Sequence, residues 1–204
     1  MFFFRLPCSQ GSLFFVMFTF HRIIDSSNPL FVPAMDIYIN SFPDDERRRI
    51  EDVEKLLSKD FYHFIAVYDE RGRVIAILVY WQFTSFYYVE YLAVFPKYKA
   101  HGFGSQIMKK FLEKRHLNLP VILEVEKIDE DVPEYELSIR KRRVKFYLNL
   151  GFTLSDVPYI QPPYAPGLKE VPLALMQFGD ILTNNALEVI NTLHNRVYLN
   201  PFEK

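Results

Sequence analysis

The amino-acid sequence predicts an α/β (α+β) fold with a mixed, mostly antiparallel central sheet flanked by helices. Two β-branched and aromatic runs flank the turn residues 69–72, a pattern typical of a β-hairpin. A third apolar run, residues 86–95, follows after a short link and extends the hairpin into an antiparallel meander. Residues 121–128 form another strand pattern that is reached through a helix, so this strand is expected to run parallel to the one before it.

Composition limits the classes of protein to which the chain can belong. Its 204 residues fit one domain, and a 50% hydrophobic content with 20 Phe and 13 Tyr supplies a substantial core. The 24 basic and 25 acidic residues nearly cancel, which argues against a nucleic-acid or membrane partner. Cys8 is the single cysteine and the five histidines are scattered, so no disulfide and no metal site are predicted. We therefore expect a cytoplasmic protein.

The N-terminal residues are apolar without the pattern of a membrane span or a signal peptide. Arg5, Pro7 and Gly11 interrupt the apolar run, and no small-residue cleavage site follows it. We interpret residues 1–16 as an extension upstream of a natural start at Met17, with the first strand beginning near Phe18.

The other elements follow from local periodicity and turn residues. Residues 29–59 predict two helices, the second with apolar side chains at helical spacing. Gly151 is expected to end the helix before it as the C-cap. After the meander the predicted elements are a helix over about 104–115, the strand 121–128, an acidic loop 129–136, a helix 138–150, strands within 151–160 and 171–178, and a helix 183–198.

A glycine turn lies between the third meander strand and the following helix, in the stretch KYKAHGFGS, residues 97–105. Backbone N–H groups at the start of a helix lack intrahelical acceptors and suit a phosphate, whereas the alternative is that Gly102 and Gly104 serve the turn geometry alone. A P-loop would need Lys followed by Ser or Thr after the glycines. A dinucleotide-binding fingerprint would need Gly or Ala where Ile107 stands. Both of these phosphate motifs are excluded.

This stretch resembles motif A of the GNAT superfamily of acyl-CoA-dependent N-acyltransferases. Residues 92–108 match a strand, Val-x-Pro and [RQ]-x-x-G-x-[GA] opening a helix, with Lys99 where Arg or Gln is usual. Further stretches of the chain resemble the family in the same order, in its bacterial branch: IYINSFPDDERR, VILEVEK, FYLNLGF, YIQPPY and PLALM. The resemblance covers residues 17–180, which it implies form an N-acetyltransferase domain.

The resemblance implies acetyl-CoA as cosubstrate, an amine acceptor on a small molecule or peptide, and no metal. Coenzyme A would lie in a cleft where the parallel fourth and fifth strands splay apart. Its pantetheine arm would pair with the backbone of one segment: Leu92, Ala93, Val94 and Phe95. Its pyrophosphate would bind the turn: Lys99, Ala100, His101, Gly102, Phe103, Gly104 and Ser105. The alternative function is a non-catalytic acyl-CoA-binding sensor or scaffold.

The candidate catalytic residues are Tyr147 and Glu90. By resemblance, Tyr147 would protonate the leaving thiolate and the Val94 N–H would polarise the thioester carbonyl; otherwise Tyr147 is an ordinary helix aromatic. Strand alternation places Glu90 on the same face as Leu92 and Val94, where it would act as the base. Glu124 is the alternative base, and a salt bridge to a nearby arginine is the alternative role for these acids.

Two further regions leave alternatives open. Arg140 and Arg143 stand where many family members have Asn and Ala, so they form either a solvated basic face or a contact to the cofactor or to an acidic acceptor. Residues 181–204 are expected to form a C-terminal helix packed on the domain or on a partner subunit, the latter arrangement giving a homodimer.

Overall fold

The computed structural model describes residues 17–99, 101–129 and 131–203. The expected N-terminal extension, residues 1–16, and Ala100 therefore lie outside the described residues. Within these ranges no helix has both the length and the apolar content required to cross a bilayer. The described His, Asp and Glu side chains include no group arranged to hold a metal ion.

One mixed sheet forms the centre of the molecule. Its strands are β1 Phe18–Ile23, β2 Tyr62–Asp69, β3 Val74–Gln82, β4 Tyr87–Val94, β5 Val121–Glu126, β6 Thr153–Leu154, β7 Tyr159–Gln161 and β8 Val171–Phe178. The strand order is β1-β2-β3-β4-β5-β8-β6, with β7 also paired to β8. β1 to β4 pair antiparallel, whereas β4 and β5 run parallel. The predicted fold class is confirmed.

Helices cover both faces of this sheet. Their bounds are α1 Phe31–Ser41, α2 Ile50–Leu57, α3 Phe103–Lys114, α4 Glu134–Leu148 and α5 Leu182–Thr192, with short 3-10 turns at Pro96–Tyr98 and His116–Asn118 and a π-helix at Leu193–Leu199. Side chains of α1, α2, α5 and the π-helix share one hydrophobic core with the sheet, and those of α3 and α4 share the other. We call these two sides the α1 face and the α3 face.

The boundaries differ from the sequence predictions where tertiary contacts or capping decide them. α4 begins at Glu134, inside the expected acidic loop, because Glu134 and Glu136 suit the positive end of a helix. The helix ends at Leu148 with Asn149 as C-cap, so the prediction that Gly151 is the C-cap is wrong; Gly151, with φ of 89°, makes the turn beyond it. The C-terminal helix continues past α5 as the π-helix, and both contribute to the core of the α1 face.

The two parallel strands separate halfway along their length. β4 pairs with β5 at three positions, from Tyr87 opposite Val121 to Val89 opposite Leu123. Beyond Val89, β4 continues to Val94 and β5 continues to Glu126 without a register between them. The strands therefore diverge and leave a gap in the sheet, as predicted.

Candidate functional site

A β-bulge marks the point at which β4 leaves β5. In the register between β3 and β4, Tyr91 lies opposite Val79 and Val89 lies opposite Tyr80. Glu90 is therefore an extra residue on β4, with no partner of its own on β3. Bulges of this kind bend a strand and re-aim its side chains, and they are common beside active sites.

The bulge moves Glu90 to the face opposite the predicted one. Leu92 and Val94 pack against the core of the α3 face, whereas Tyr91 belongs to the core of the α1 face. The Glu90 carboxylate bonds to Trp81, another core residue of the α1 face. The prediction that Glu90 shares a face with Leu92 and Val94 is wrong, because the extra residue interrupts the alternation on which it depended.

Glu90 is held in a buried ion pair. Its Oε1 accepts a hydrogen bond of 2.8 Å from Arg48 Nε, and its Oε2 accepts one of 2.7 Å from Trp81 Nε1. The side chain of Glu90 is 0% exposed and that of Arg48 is 4% exposed. The Arg48 guanidinium lies 5.1 Å from the Trp81 ring centroid and 5.0 Å from that of Tyr164, and it donates to the Val197 carbonyl. Glu90 thus forms the salt bridge to an arginine that was the alternative to a catalytic role. Its role as a base stays a prediction.

Arg48 is charged in this setting despite its burial. Burial lowers the pKa of its guanidinium, but the Glu90 carboxylate and the neighbouring tyrosines Tyr164, Tyr91 and Tyr62 raise it, so that together they leave the pKa above the ordinary arginine value. A buried cation therefore lies directly against the Glu90 carboxyl group.

Glu124 on β5 is surrounded by tyrosine hydroxyls instead of a cation. Its Oε2 accepts hydrogen bonds from Tyr88 at 2.9 Å and from Tyr198 at 2.7 Å, and its Oε1 accepts one from Tyr159. Burial raises the pKa of Glu124 to about 7, although the three hydrogen bonds act to lower it, and the Glu90 carboxylate raises it slightly further. This carboxyl can take up or release a proton near neutral pH.

Tyr147 lies on α4 at the wall of the gap. It is partly buried, and its ring contacts Phe146 and Phe152 with centroids 4.9 Å and 5.5 Å away. Among the described residues its hydroxyl has no hydrogen-bond partner. Burial raises the pKa of Tyr147 to about 12, so the phenol is protonated at neutral pH and is suited to donate a proton.

Two of the three arginines on α4, Arg140 and Arg143, are engaged by acidic groups. Arg140 pairs with Glu136 and donates to the Lys127 carbonyl at 2.9 Å, while Arg143 pairs with Glu126 at the end of β5. Arg143 also lines the gap. Arg140 and Arg143 therefore take no part in the Glu90 ion pair, and the other basic residues of the stretch, Lys141, Arg142 and Lys145, are exposed.

At the glycine turn, Gly102 has the left-handed backbone that was expected, whereas Gly104 lies inside α3 without a positive φ. Gly102 is the N-cap of α3 in the left-handed region, with φ of 77°, where glycine is favoured. The first helical hydrogen bond runs from Gln106 N–H to the Gly102 carbonyl, at 3.1 Å, so the amides of residues 103–105 have no intrahelical acceptor. Exposed basic side chains surround the turn: Lys97, Lys99 and His101.

Packing connects this turn to the gap. A Cβ atom at Gly104 would lie 3.5 Å from the Phe146 ring and 3.7 Å from Val94, so the start of α3 lies against both α4 and the end of β4. The Phe95 N–H bonds to the Ile75 carbonyl of β3 at 2.8 Å. Because successive amides of a strand point to opposite edges, the Val94 N–H points toward the gap.

The gap opens into a cleft of about 430 Å³. It brings together Glu90, Leu92, Glu124 and Tyr147 from the sequence-predicted candidates. Ala93, Val94, Phe95 and the described residues of the glycine turn lie outside its lining. The remaining lining residues are Phe42, Asp45, Glu46, Tyr91, Val125, Glu126, Arg143, Gln161, Tyr164, Gly167, Leu168, Lys169, Val171 and Leu173.

Several residues that define the site were not found by sequence reasoning. The partners of the two acids lie between 9 and 74 residues away along the chain: Arg48, Trp81, Tyr88, Tyr159 and Tyr198. The only signal was the presence of Glu90 and Glu124 inside apolar strands, which indicates that partners exist but not which residues they are.

Comparisons with known proteins agree with this geometry. Residues 59–154 match the family model described as an acetyltransferase (GNAT) domain. A GNAT-family structure from Bacteroides thetaiotaomicron, described as a candidate acetyltransferase, is 30% identical, covers 91% of this chain and 99% of its own, and superposes with a TM-score of 0.78. An aminoglycoside 6'-N-acetyltransferase complexed with coenzyme A is 16% identical, with a TM-score of 0.57, covering 79% of this chain and 96% of its own.

A curated relative gives a shorter match. The candidate acetyltransferase YjbC of Bacillus subtilis is 33% identical over 108 residues, which are 52% of this chain and 49% of YjbC. The match thus spans about half the length of that relative. The similarity to the Bacteroides protein extends over nearly the whole of both chains. The chain belongs to the GNAT family of acetyltransferases.

Proposed function

We propose that the protein is an acetyl-CoA-dependent N-acetyltransferase that transfers an acetyl group directly to a primary amine of a small molecule or peptide. The observation that carries this proposal is the cleft between the splayed ends of β4 and β5, which Tyr147 and Glu124 both line. Membership of the GNAT family supports acetyl transfer. The coenzyme A complex of the aminoglycoside N-acetyltransferase supports coenzyme A as the acetyl carrier.

The described residues fit such a cosubstrate at two places. In the gap, the inward-pointing amide of Val94 offers a donor to a pantetheine arm that lies along β4 as an added strand. At the start of α3, the amides of residues 103–105 lack intrahelical acceptors, and Gly102 presents no side chain, which suits a pyrophosphate. Lys99 adds a point charge in place of the planar fork of an arginine.

The reaction needs two proton transfers, one to Glu124 and one from Tyr147. As the acceptor nitrogen bonds to the acetyl carbon, Glu124 takes the proton that the amine loses. Tyr147 gives its proton to the sulfur as the carbon–sulfur bond breaks. A primary amine has a pKa near about 10.4, so removal of its proton near neutral pH needs a base such as a carboxyl with a pKa of about 7. The Val94 N–H polarises the carbonyl.

Glu90 was the first candidate for the base, and this role competes with that of Glu124. Both carboxyl groups accept hydrogen bonds on both oxygens, but one partner of Glu90 is the Arg48 cation, whereas the partners of Glu124 are neutral hydroxyls. A proton taken up by Glu90 would leave the buried Arg48 charge without its counter-ion. We therefore assign proton transfer to Glu124 and charge compensation to Glu90.

Calorimetric titration with acetyl-CoA, followed by a panel of primary amines with a free-thiol readout, tests the proposal. We expect saturable binding and thiol release that depends on one class of amine. Absence of binding contradicts the proposal. Binding without release across the panel favours the alternative, a non-catalytic acyl-CoA-binding module.

A pair of glycine variants tests the phosphate site. Gly102→Glu places a carboxylate where the pyrophosphate would bind, and we expect acetyl-CoA affinity to fall at least about tenfold. Gly72→Glu is the matched control: Gly72 also has a positive φ, of 74°, but lies in the hairpin turn between β2 and β3 with open space around it. Equal affinities for the two variants would contradict the assignment of residues 102–105 to the pyrophosphate.

A further inference from the structure

The C-terminal π-helix reaches both acids of the cleft. The Tyr198 hydroxyl donates to Glu124 Oε2 at 2.7 Å, and the neighbouring Val197 carbonyl accepts a hydrogen bond from Arg48, the partner of Glu90. This segment lies beyond residues 59–154, which the family model matches. π-Helical turns are rare and are frequent at functional sites.

The position of the Tyr198 hydroxyl is fixed from several sides. The residue is 6% exposed, and its ring packs on Tyr164 with centroids 5.0 Å apart. Its hydroxyl lies 3.0 Å from that of Tyr88, and both hydroxyls donate to the same oxygen of Glu124. Leu193, at 0% exposure, anchors the π-helix in the core of the α1 face.

We propose that Tyr198 is a positioning residue that holds the Glu124 carboxyl for proton transfer from the acceptor amine. The inference rests on the proposed function, in which Glu124 takes that proton. Tyr198 itself acts through Glu124 and not on the reacting atoms. Its hydrogen bond favours the ionised, proton-accepting form of Glu124, since a hydroxyl donates more strongly to a carboxylate than to a carboxylic acid.

The tyrosines that surround Glu124 do not titrate near neutral pH, so the titration of Glu124 itself reports the effect of the Tyr198 hydrogen bond. Burial raises the pKa of Tyr88, Tyr159 and Tyr198, so these phenols stay protonated across the neutral range. The titratable groups that face the carboxyl are Tyr88 and Glu90 from β4, Tyr159 from β7, Tyr164 from the loop after β7, and Tyr198. Two further groups lie behind these: His194 beside the Tyr159 ring, and Arg48 in its pair with Glu90.

The experiment follows the Glu124 carboxyl directly in protein labelled with ¹³C-glutamate, with its signal assigned by its loss in Glu124→Gln. Tyr198→Phe removes one donor and keeps the ring. Tyr62→Phe is the matched control, because the Tyr62 hydroxyl is buried, has no hydrogen-bond partner among the described residues, and does not contact Glu124.

We expect Tyr198→Phe to move the titration midpoint of Glu124 upward by about one pH unit, the size expected for a hydrogen bond to a charged group. The acid limb of the pH profile of kcat/KM should move by the same amount. Tyr62→Phe should move neither. A Tyr198→Phe midpoint equal to that of Tyr62→Phe overturns the proposal.

A second variant keeps the test decisive if Tyr198→Phe does not fold. Incorporation of 3-fluorotyrosine at position 198 barely changes the size of the side chain and makes its hydroxyl a stronger donor. We expect the Glu124 midpoint to move downward, and an unmoved midpoint overturns the proposal.

The two readouts separate this inference from the proposed function. If the titration midpoint of Glu124 shifts in Tyr198→Phe but the protein transfers no acetyl group, the proposed function is contradicted, whereas the hydrogen bond from Tyr198 to Glu124 is not. A protein that transfers acetyl with an unshifted acid limb in Tyr198→Phe contradicts the positioning role alone.

Discussion

Two buried carboxyl groups on neighbouring strands show how differently one core can hold an acid. Glu90 on β4 pairs with the Arg48 cation and with the Trp81 indole, and its side chain is 0% exposed. Glu124 on β5 accepts hydrogen bonds from three tyrosines and from no cation among the described residues. Both belong to the α1 face of the sheet and both line the same cleft.

The partners of each carboxyl group determine whether it can exchange a proton. Loss of either charge of a buried ion pair leaves the other charge uncompensated, and Glu90 and Arg48 form such a pair. Neutral hydroxyls compensate burial only in part, which is why the pKa of Glu124 rises to about 7. The first arrangement fixes a charge and the second leaves a carboxyl that can exchange a proton.

The largest expected effect is a loss of stability in Glu90→Gln. This change leaves Arg48 as a buried cation without a counter-ion, which should lower the free energy of unfolding by about 3–5 kcal/mol. Urea denaturation followed by circular dichroism measures it. The double variant Glu90→Gln/Arg48→Met removes both charges and should recover part of the loss. A single variant within about 1 kcal/mol of the wild type would show that the pair is not a structural unit.

The next effect concerns activity in Glu124→Gln. The amide keeps the size of the side chain but cannot accept the amine proton, so kcat should fall about 100-fold, equivalent to about 2.7 kcal/mol. Stability near pH 8 should stay the same or increase, because a desolvated carboxylate is removed. Steady-state kinetics with the free-thiol readout measures the loss. If kcat per folded molecule fell less in Glu124→Gln than in Glu90→Gln, Glu90 would be the better candidate for the base.

The pH dependence of stability provides a third comparison. The pKa of Glu124 is about 7 in the folded protein against an ordinary value of 4.5, so the folded state binds more protons between these values. Its contribution should therefore destabilise the fold as pH rises from 5 to 8, by about 2.5 kcal/mol, and the effect should level off above pH 7.

His63 contributes a pH dependence of the opposite sign, so the effect of Glu124 has to be measured against a control variant. Burial lowers the pKa of His63 to about 4, so its contribution to stability increases as pH rises toward 6.5. Subtracting the unfolding free energies of Glu124→Gln from those of the wild type at each pH isolates Glu124. A difference that does not change between pH 5 and 8 would contradict the raised pKa.

The smallest effect is expected for Tyr147→Phe. Loss of the phenolic proton should lower kcat about tenfold, or about 1.4 kcal/mol, with little change in the KM for acetyl-CoA, since the ring remains. Stability should stay within about 0.5 kcal/mol, because the hydroxyl has no hydrogen-bond partner among the described residues. Unchanged kcat with an acceptor whose chemical step limits the rate would remove the proton-donor role.

The features predicted best are those that depend on neighbouring residues. Turn residues 69–72 lie in the predicted hairpin between β2 and β3, and Gly102 takes the left-handed conformation at the start of α3. A helix between β4 and β5 makes these strands parallel. The first two depend on backbone preferences that act over a few residues, and the third follows from the connection between the strands, which a helix makes a crossover.

The sequence alone determined the fold class, the resemblance to the GNAT family, and the presence of acids inside two apolar strands. Only the tertiary structure decided what those acids do. The bulge that turns Glu90 toward the α1 face is set by pairing with β3, and the partners Arg48 and Tyr198 come from segments 42 and 74 residues away from Glu90 and Glu124. Burial and hydrogen bonding from distant segments set the charge state of a carboxyl, and no local pattern records them.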